Sequence, residues 1–203
     1  MTKPFNPLDK VNLGLSVANA LLALSPSSLG DNSGIVGAGV YAIYYTGPYP
    51  AYAQIAAKNR NGRFGLPIYV GKAVPKGGRK GLSELDALNS NSLRARLDEH
   101  ADSIRQASES LNIDDFWCRH LVVDDIWIPL GESVLIREYQ PLWNQVVDGF
   151  GNHDPGSGRH KGRRSMWDEL HPGRQWVKNL EGACKFTAKE IAEHIQRALA
   201  AKP

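Results

Sequence analysis

The chain has 203 residues, with a hydrophobic content of 42%, a charged content of 22% and a formal net charge of +3. These values fit one globular domain with a real core, or one core plus embellishments. Two cysteines, Cys118 and Cys184, exclude a disulfide-stapled scaffold and suit a reducing cytoplasm.

The longest apolar stretch, Val11 to Leu24, is broken by Asn12, Gly14, Ser16 and Asn19. It is too short to span a bilayer and lacks a small-residue cleavage pattern, so it reads as a packed helix ended by Pro26. Gly39 to Tyr45 (GVYAIYY) is β-branched and aromatic and reads as a strand, closed by Gly47-Pro48. Leu66 to Gly71 (LPIYVG) reads as a second, with Pro67 at its entry. The segment between them is too long for a tight hairpin, and its Tyr49, Tyr52 and Phe64 interleave with basic residues, as in nucleic-acid-binding loops. Apolar residues at 93, 97, 101, 104 and 111 predict a helix over Leu93 to Leu111. Phe116 to Val123 reads as a third strand, and Glu132 to Gln140 as a helix stopped by Pro141. The chain from Gly149 to Gly182 is rich in Gly, His, Arg and Trp and has no period, which predicts a long loop region. Thr187 and Glu190 form a capping box that opens a last helix, with Ile191, Ile195, Ala198 and Leu199 on one face. Together these elements predict a small α/β (α+β) domain: a three-stranded, mostly antiparallel sheet flanked by helices.

Charge distribution says more than net charge. No carboxylate lies between Asp31 and Glu84, yet that stretch holds Lys58, Arg60, Arg63, Lys72, Lys76, Arg79 and Lys80. A second cluster holds Arg159, His160, Lys161, Arg163 and Arg164. One-signed patches suit a polyanion, because neutralising phosphates releases counterions; solvated loops are the plainer account.

Three groups of residues are candidates for chemistry. Glu132 shares a helical face with Leu135, Ile136 and Tyr139, whereas Arg137 and Glu138 point elsewhere. An inward carboxylate is paired or binds a cation, unless it is a helix N-terminal glutamate still in contact with water. Arg96 and His100 are four apart on one face, which suits joint contact with an anion such as phosphate, or merely two solvated side chains. Tyr41 and Tyr69 lie in Gly-flanked strand tripeptides, where tyrosines are most often packing residues.

In combination the pieces resemble the GIY-YIG nuclease family. Gly39-Val40-Tyr41 resembles its first tripeptide and Tyr69-Val70-Gly71-Lys72 its second, with the lysine that often follows. Arg96 and His100 are similar to its arginine–histidine element. Glu132 through Pro141 to Asn144 resembles its glutamate, proline and asparagine segment. The likeness covers about Gly39 to Asn144. The longer gap between the tripeptides, the insertion at Val74 to Asn91 and the C-terminal segment resemble the restriction endonucleases of the family, and Gly151 to Arg159 looks like the enzymes that cut CCGCGG. The resemblance implies a single nuclease domain over 1–203, with a core at about 37–147, insertions at 46–65 and 74–91, and a DNA-contacting extension at 148–203.

It further implies a site-specific, metal-dependent endonuclease of the bacterial cytoplasm, acting on double-stranded DNA as a homodimer at a short GC-rich palindrome, with no membrane association. Glu132 would hold Mg²⁺, with Mn²⁺ as a substitute; Tyr41 would be the base, helped by Lys72, Arg96 and Tyr69. His100 would relay a proton or position Tyr41, and Asn144 would fix the glutamate helix and its loop. Arg159, Arg163, Arg164 and Arg174 are candidates to read guanines, alongside His160 and Lys161 in the same loop; Lys58, Arg60, Arg63, Lys76, Arg79 and Lys80 are candidates to meet phosphates. The alternatives are a repair or homing nuclease of the same family, a silent DNA-binding module, and a metal site built from His153, Asp154 and His160.

Overall fold

The computed structural model describes residues 6–75 and 88–201. Lys76, Arg79 and Lys80 lie outside the described residues. In chain order the elements are α1 (Lys10–Leu22), β1 (Ser27–Ser28), β2 (Gly39–Tyr45), α2 (Ala53–Asn59), β3 (Tyr69–Ala73), α3 (Ser92–Gln106), β4 (Phe116–Val122), α4 (Ile128–Tyr139), α5 (Leu142–Gln145), α6 (Met166–Leu170) and α7 (Ala188–Ala200).

The α+β class is as expected, but the sheet has four strands rather than three, in the order β1-β4-β2-β3, all antiparallel. The extra strand is the two-residue β1, which pairs Ser27 and Ser28 with Cys118 and Trp117; two serines carry no apolar alternation to betray it. β2 is central and every one of its residues is buried, because helices cover both faces. Tyr41, Ile43 and Tyr45 face a core shared with Leu93, Leu97 and Ile104 of α3 and Ile191 and Ile195 of α7. Val40, Ala42 and Tyr44 face the other way, onto Ala18 and Leu21 of α1 and Ile128, Val134 and Leu135 of α4.

Boundaries moved for identifiable reasons. β3 starts at Tyr69 rather than Leu66, since Pro67 has no N–H to give a ladder. α4 starts at Ile128, not Glu132: Pro129 occupies its first turn, where a missing N–H costs nothing. Glu132 therefore sits one turn inside the helix, not at its N-terminus. The segment between the tripeptides holds α2, which Asn59 pins by bonds to Tyr45 O and Leu66 O. The capping box at Thr187 and Glu190 forms as expected. Cys118 and Cys184 are free thiols, and no helix among the described residues is long and apolar enough to cross a membrane.

His171 ties α6 to this core. Its Nε2 lies 2.6 Å from Tyr52 Oη and its Nδ1 lies 2.8 Å from Ser110 Oγ. Burial pushes its pKa down to about 3. The folded state thus holds His171 neutral while the unfolded chain protonates it below about 6.5. Stability is full above that value and falls as pH drops through the window down to about 3, by up to about 1.4 kcal/mol per pH unit from this group. Urea midpoints of wild type and His171→Gln between pH 7 and pH 5 should show a shallower acid loss in the variant. Parallel slopes would remove His171 from that account.

Candidate active site

The tripeptides owe their glycines to close approaches. A Cβ at Gly39 would lie 1.9 Å from Leu121 O, across the β2–β4 ladder. A Cβ at Gly71 would lie 2.3 Å from Tyr41 Oη, because the two residues are register partners and the phenol crosses the β3 backbone there. The second glycine is thus the floor on which the first tyrosine rests.

Tyr41, on the central strand, is fully buried and its Oη lies 2.7 Å from His100 Nε2 on α3. Tyr69, on β3, brings its ring within 6.3 Å of Tyr41 and 5.2 Å of His100. Lys72, two strand positions beyond Val70, turns its ammonium onto Glu132 of α4, with Nζ 2.7 Å from Oε2. Their side chains are 38% and 21% exposed, so the carboxylate stands at the lip of the site, neither in the core nor free in water. Arg137 and Glu138 are exposed and pair with each other, as the helical spacing required. Tyr41, Tyr69, Lys72, Arg96 and Glu132 line one cleft of about 400 Å³, with Glu99 and His153 on the same wall.

Burial outweighs the neighbouring cation in setting the state of Tyr41. Burial pushes the Tyr41 phenol far above its ordinary pKa, and Arg96 only partly offsets this. Cations therefore do not hold a resting phenolate. Burial, reinforced by Arg96, pushes His100 well below its ordinary value, so its imidazole is neutral and one ring nitrogen keeps a lone pair.

Asn144 does a job that the sequence described only loosely. Its Oδ1 accepts from Val70 N and its Nδ2 donates to Val70 O, both at 2.8 Å. The side-chain amide mimics one further strand residue on the free edge of β3. It fastens the strand that carries Tyr69 and Lys72, not the glutamate helix alone.

Arg96 is the most heavily engaged cation of the cleft. Its guanidinium donates to Glu99 Oε2 at 2.9 Å and to Gly151 O at 2.8 Å, and it meets the ring of His153. Gly151 and His153 come from the long loop, together with Phe150, whose ring stacks on His100 at 4.5 Å. Sequence reasoning placed none of these three at the catalytic cleft. No spacing rule links them to it; the glycine-rich composition and the likeness of Gly151 to Arg159 to restriction enzymes of the family pointed to DNA contact, not to the cleft.

The basic candidates divide sharply. Arg63, Arg159, Lys161 and Arg163 are exposed, and Arg159 and Arg163 line a second cavity of about 550 Å³ with Trp176 and His153. Arg164 pairs with Glu169 and His160 lies 3.8 Å from Asp154. Arg60 spends Nε and Nη2 on Thr46 O and Gly47 O. Arg174 differs from the DNA-contact expectation: it is buried, paired with Asp168 at 2.7 Å, and lies between the rings of Trp167 and Trp176. Among the described residues no group of three or more His, Cys, Asp or Glu side chains could hold a metal ion, so His153, Asp154 and His160 make no such site.

The sequence matches the Eco29kI GIY-YIG domain family over residues 34–199. No curated protein matches the chain.

Proposed function

On the premise that the chain belongs to the GIY-YIG restriction endonuclease family of the Eco29kI type, we propose that it is a type II restriction enzyme. It hydrolyses phosphodiester bonds of double-stranded DNA at a short GC-rich palindrome. The observation that carries this reading is the convergence of Tyr41, Tyr69, Lys72, Arg96 and Glu132, from four elements, on one cleft.

The chemistry needs a nucleophile, a counter-charge for the phosphate and help for the leaving oxygen. Glu132, a single carboxylate 21% exposed at the lip of the cleft and paired with Lys72, would hold Mg²⁺, or Mn²⁺ as a substitute, since such an ion needs few protein ligands. A cation held at Glu132 would supply charge stabilisation for the phosphate and for the departing 3′ oxygen. The chain's own residues do the rest. Tyr41 takes the proton of the attacking water while passing its phenolic proton to His100 Nε2, 2.7 Å away. His100 is neutral, so its Nε2 lone pair is placed to accept that proton. Arg96 grips the scissile phosphate, and Lys72 balances the charge at Glu132.

A palindrome calls for two such sites about a two-fold axis, hence a homodimer. The exposed Arg159, Arg163 and Arg164 are the proposed base readers, with His160 and Lys161 beside them; Arg63, Lys76, Arg79 and Lys80 are the proposed phosphate contacts. The reading treats 1–203 as one nuclease domain with 148–203 as its DNA-contacting extension. Incubation of a GC-rich plasmid with the protein, in Mg²⁺, in Mn²⁺ and in EDTA, tests it. Discrete fragments that vanish in EDTA and with Glu132→Ala are expected, with at least about a 10³-fold loss in the variant. Binding with no cutting by wild type would make the protein a silent DNA-binding module instead. Diffuse nicking would make it a repair-type nuclease.

A further inference from the structure

Residues 149–153 form a strap across the catalytic cleft. Phe150 stacks on His100 with an interplanar angle of 15°, Gly151 O accepts from Arg96 Nη2, and the His153 ring meets Arg96 Nη1. The strap is held from behind by Arg174, which donates to the carbonyls of Gly149, Phe150 and Asn152. It is also seated tightly from the front: a Cβ at Gly151 would lie 2.7 Å from Tyr69 Oη and 3.3 Å from Arg96 Nη2. His153 is therefore delivered to the cleft by a backbone with little freedom to stand elsewhere.

The partner fixes the tautomer. A guanidinium only donates, so His153 Nε2, the ring nitrogen nearest Arg96, is the acceptor, which leaves Nδ1 to carry a proton. Nδ1 faces Glu99 Oε2 at 3.7 Å. The same carboxylate oxygen takes Arg96 Nη1 at 2.9 Å. One anionic oxygen thus stands against both Arg96 and His153 inside the cleft that holds Tyr41 and Glu132. The Glu99 side chain is 51% exposed.

We propose that His153 is a catalytic residue of this nuclease site: together with Arg96 it binds a non-bridging oxygen of the scissile phosphate, at the place where the Glu99 carboxylate oxygen stands in the DNA-free protein. The inference rests on the nuclease reading of the same cleft. One imidazole performs two tasks, orienting Arg96 through Nε2 and offering Nδ1–H to the phosphate. The C-terminal extension would then complete the catalytic site as well as contact flanking DNA. Glu99 is displaced when DNA arrives, since a phosphate oxygen and a carboxylate oxygen compete for the same donors.

Single-turnover cleavage of a duplex carrying the site, in Mg²⁺ with enzyme in excess, tests this on wild type, His153→Ala, His153→Gln and Glu99→Gln. His153→Ala should slow cleavage by about 10²-fold, the scale for one lost charge-stabilising donor, with an unchanged melting temperature. His153→Gln should recover most of the rate, because its amide also accepts and donates on one side chain. Glu99→Gln should bind the same duplex more tightly in EDTA, and that gain should vanish in the His153→Ala background. Wild-type cleavage speed in His153→Ala overturns the inference while leaving the nuclease intact. A His153→Gln variant as slow as His153→Ala also overturns it, and equal losses of melting temperature in both would mark a structural role instead. Unaltered affinity in Glu99→Gln overturns the shared phosphate place. A wild-type chain that cuts no DNA removes the nuclease reading itself, and this inference with it.

Discussion

Tyr41→Phe should lower single-turnover cleavage by about 10³-fold, within the 10²–10⁴ range of a lost general base, in a protein that still folds and still binds DNA. The ring stays, so the packing of β2 against α3 stays; a single oxygen is removed. That oxygen is fully buried and faces His100 Nε2 at 2.7 Å, and it is the link through which the histidine reaches the cleft. The loss in stability should be about 1–3 kcal/mol, the cost of leaving buried Nε2 without a partner. Tyr69→Phe is the control. Its hydroxyl lies against Gly151 of the loop rather than against His100, and its removal should cost far less than that of Tyr41. Rapid-quench rates on a labelled duplex, with DNA affinity measured in EDTA, separate the two. Equal losses in both variants would show that the cleft needs two phenols rather than one base. Full activity in Tyr41→Phe would remove the base role and leave the buried hydroxyl a packing residue.

The core of this site was legible because its residues are tied to regular elements. Spacing placed Tyr41, Tyr69, Arg96, His100 and Glu132 on strands and helices, and their ordered resemblance to the GIY-YIG family singled them out as a site. The inward face of α4 was readable although its start was not. Pro129 opens the helix four positions earlier than the apolar pattern suggested, which turned a candidate terminal glutamate into an interior one. The strap at 149–153 was illegible for a different reason. Its position depends on Asp168 and Arg174, about twenty residues later in the chain, and no periodicity links a loop carbonyl to a distant guanidinium. The same holds for the state of Tyr41. The family resemblance implies cations near it, but burial sets the phenol's proton, and burial is a property of the packed molecule.

Arg174→Met tests how far that buried pair controls the cleft. Arg174 and Asp168 have side chains 1% and 2% exposed, and the arginine spends all three guanidinium nitrogens within the protein. Removing the cation strands the Asp168 carboxylate, whose remaining support is the Ser165 hydroxyl at 2.6 Å. A broken buried pair costs about 3–5 kcal/mol, so the denaturation midpoint should fall steeply. Replacing both residues, as Arg174→Met with Asp168→Leu, should recover much of that stability, because no buried charge is left alone. Cleavage should not recover in parallel. The carbonyls of Gly149, Phe150 and Asn152 lose their donor in both variants, so the strap no longer holds Phe150 on His100 or Gly151 on Arg96. A base- or phosphate-reading arginine behaves differently: its loss leaves folding untouched and, for a phosphate contact, lowers the salt slope of DNA binding by about one. Measuring the denaturation midpoint and the salt slope on the same Arg174→Met protein therefore decides between the two roles. A lower midpoint with an unchanged slope is expected from an arginine that works behind the cleft, while the reverse would return Arg174 to the DNA surface.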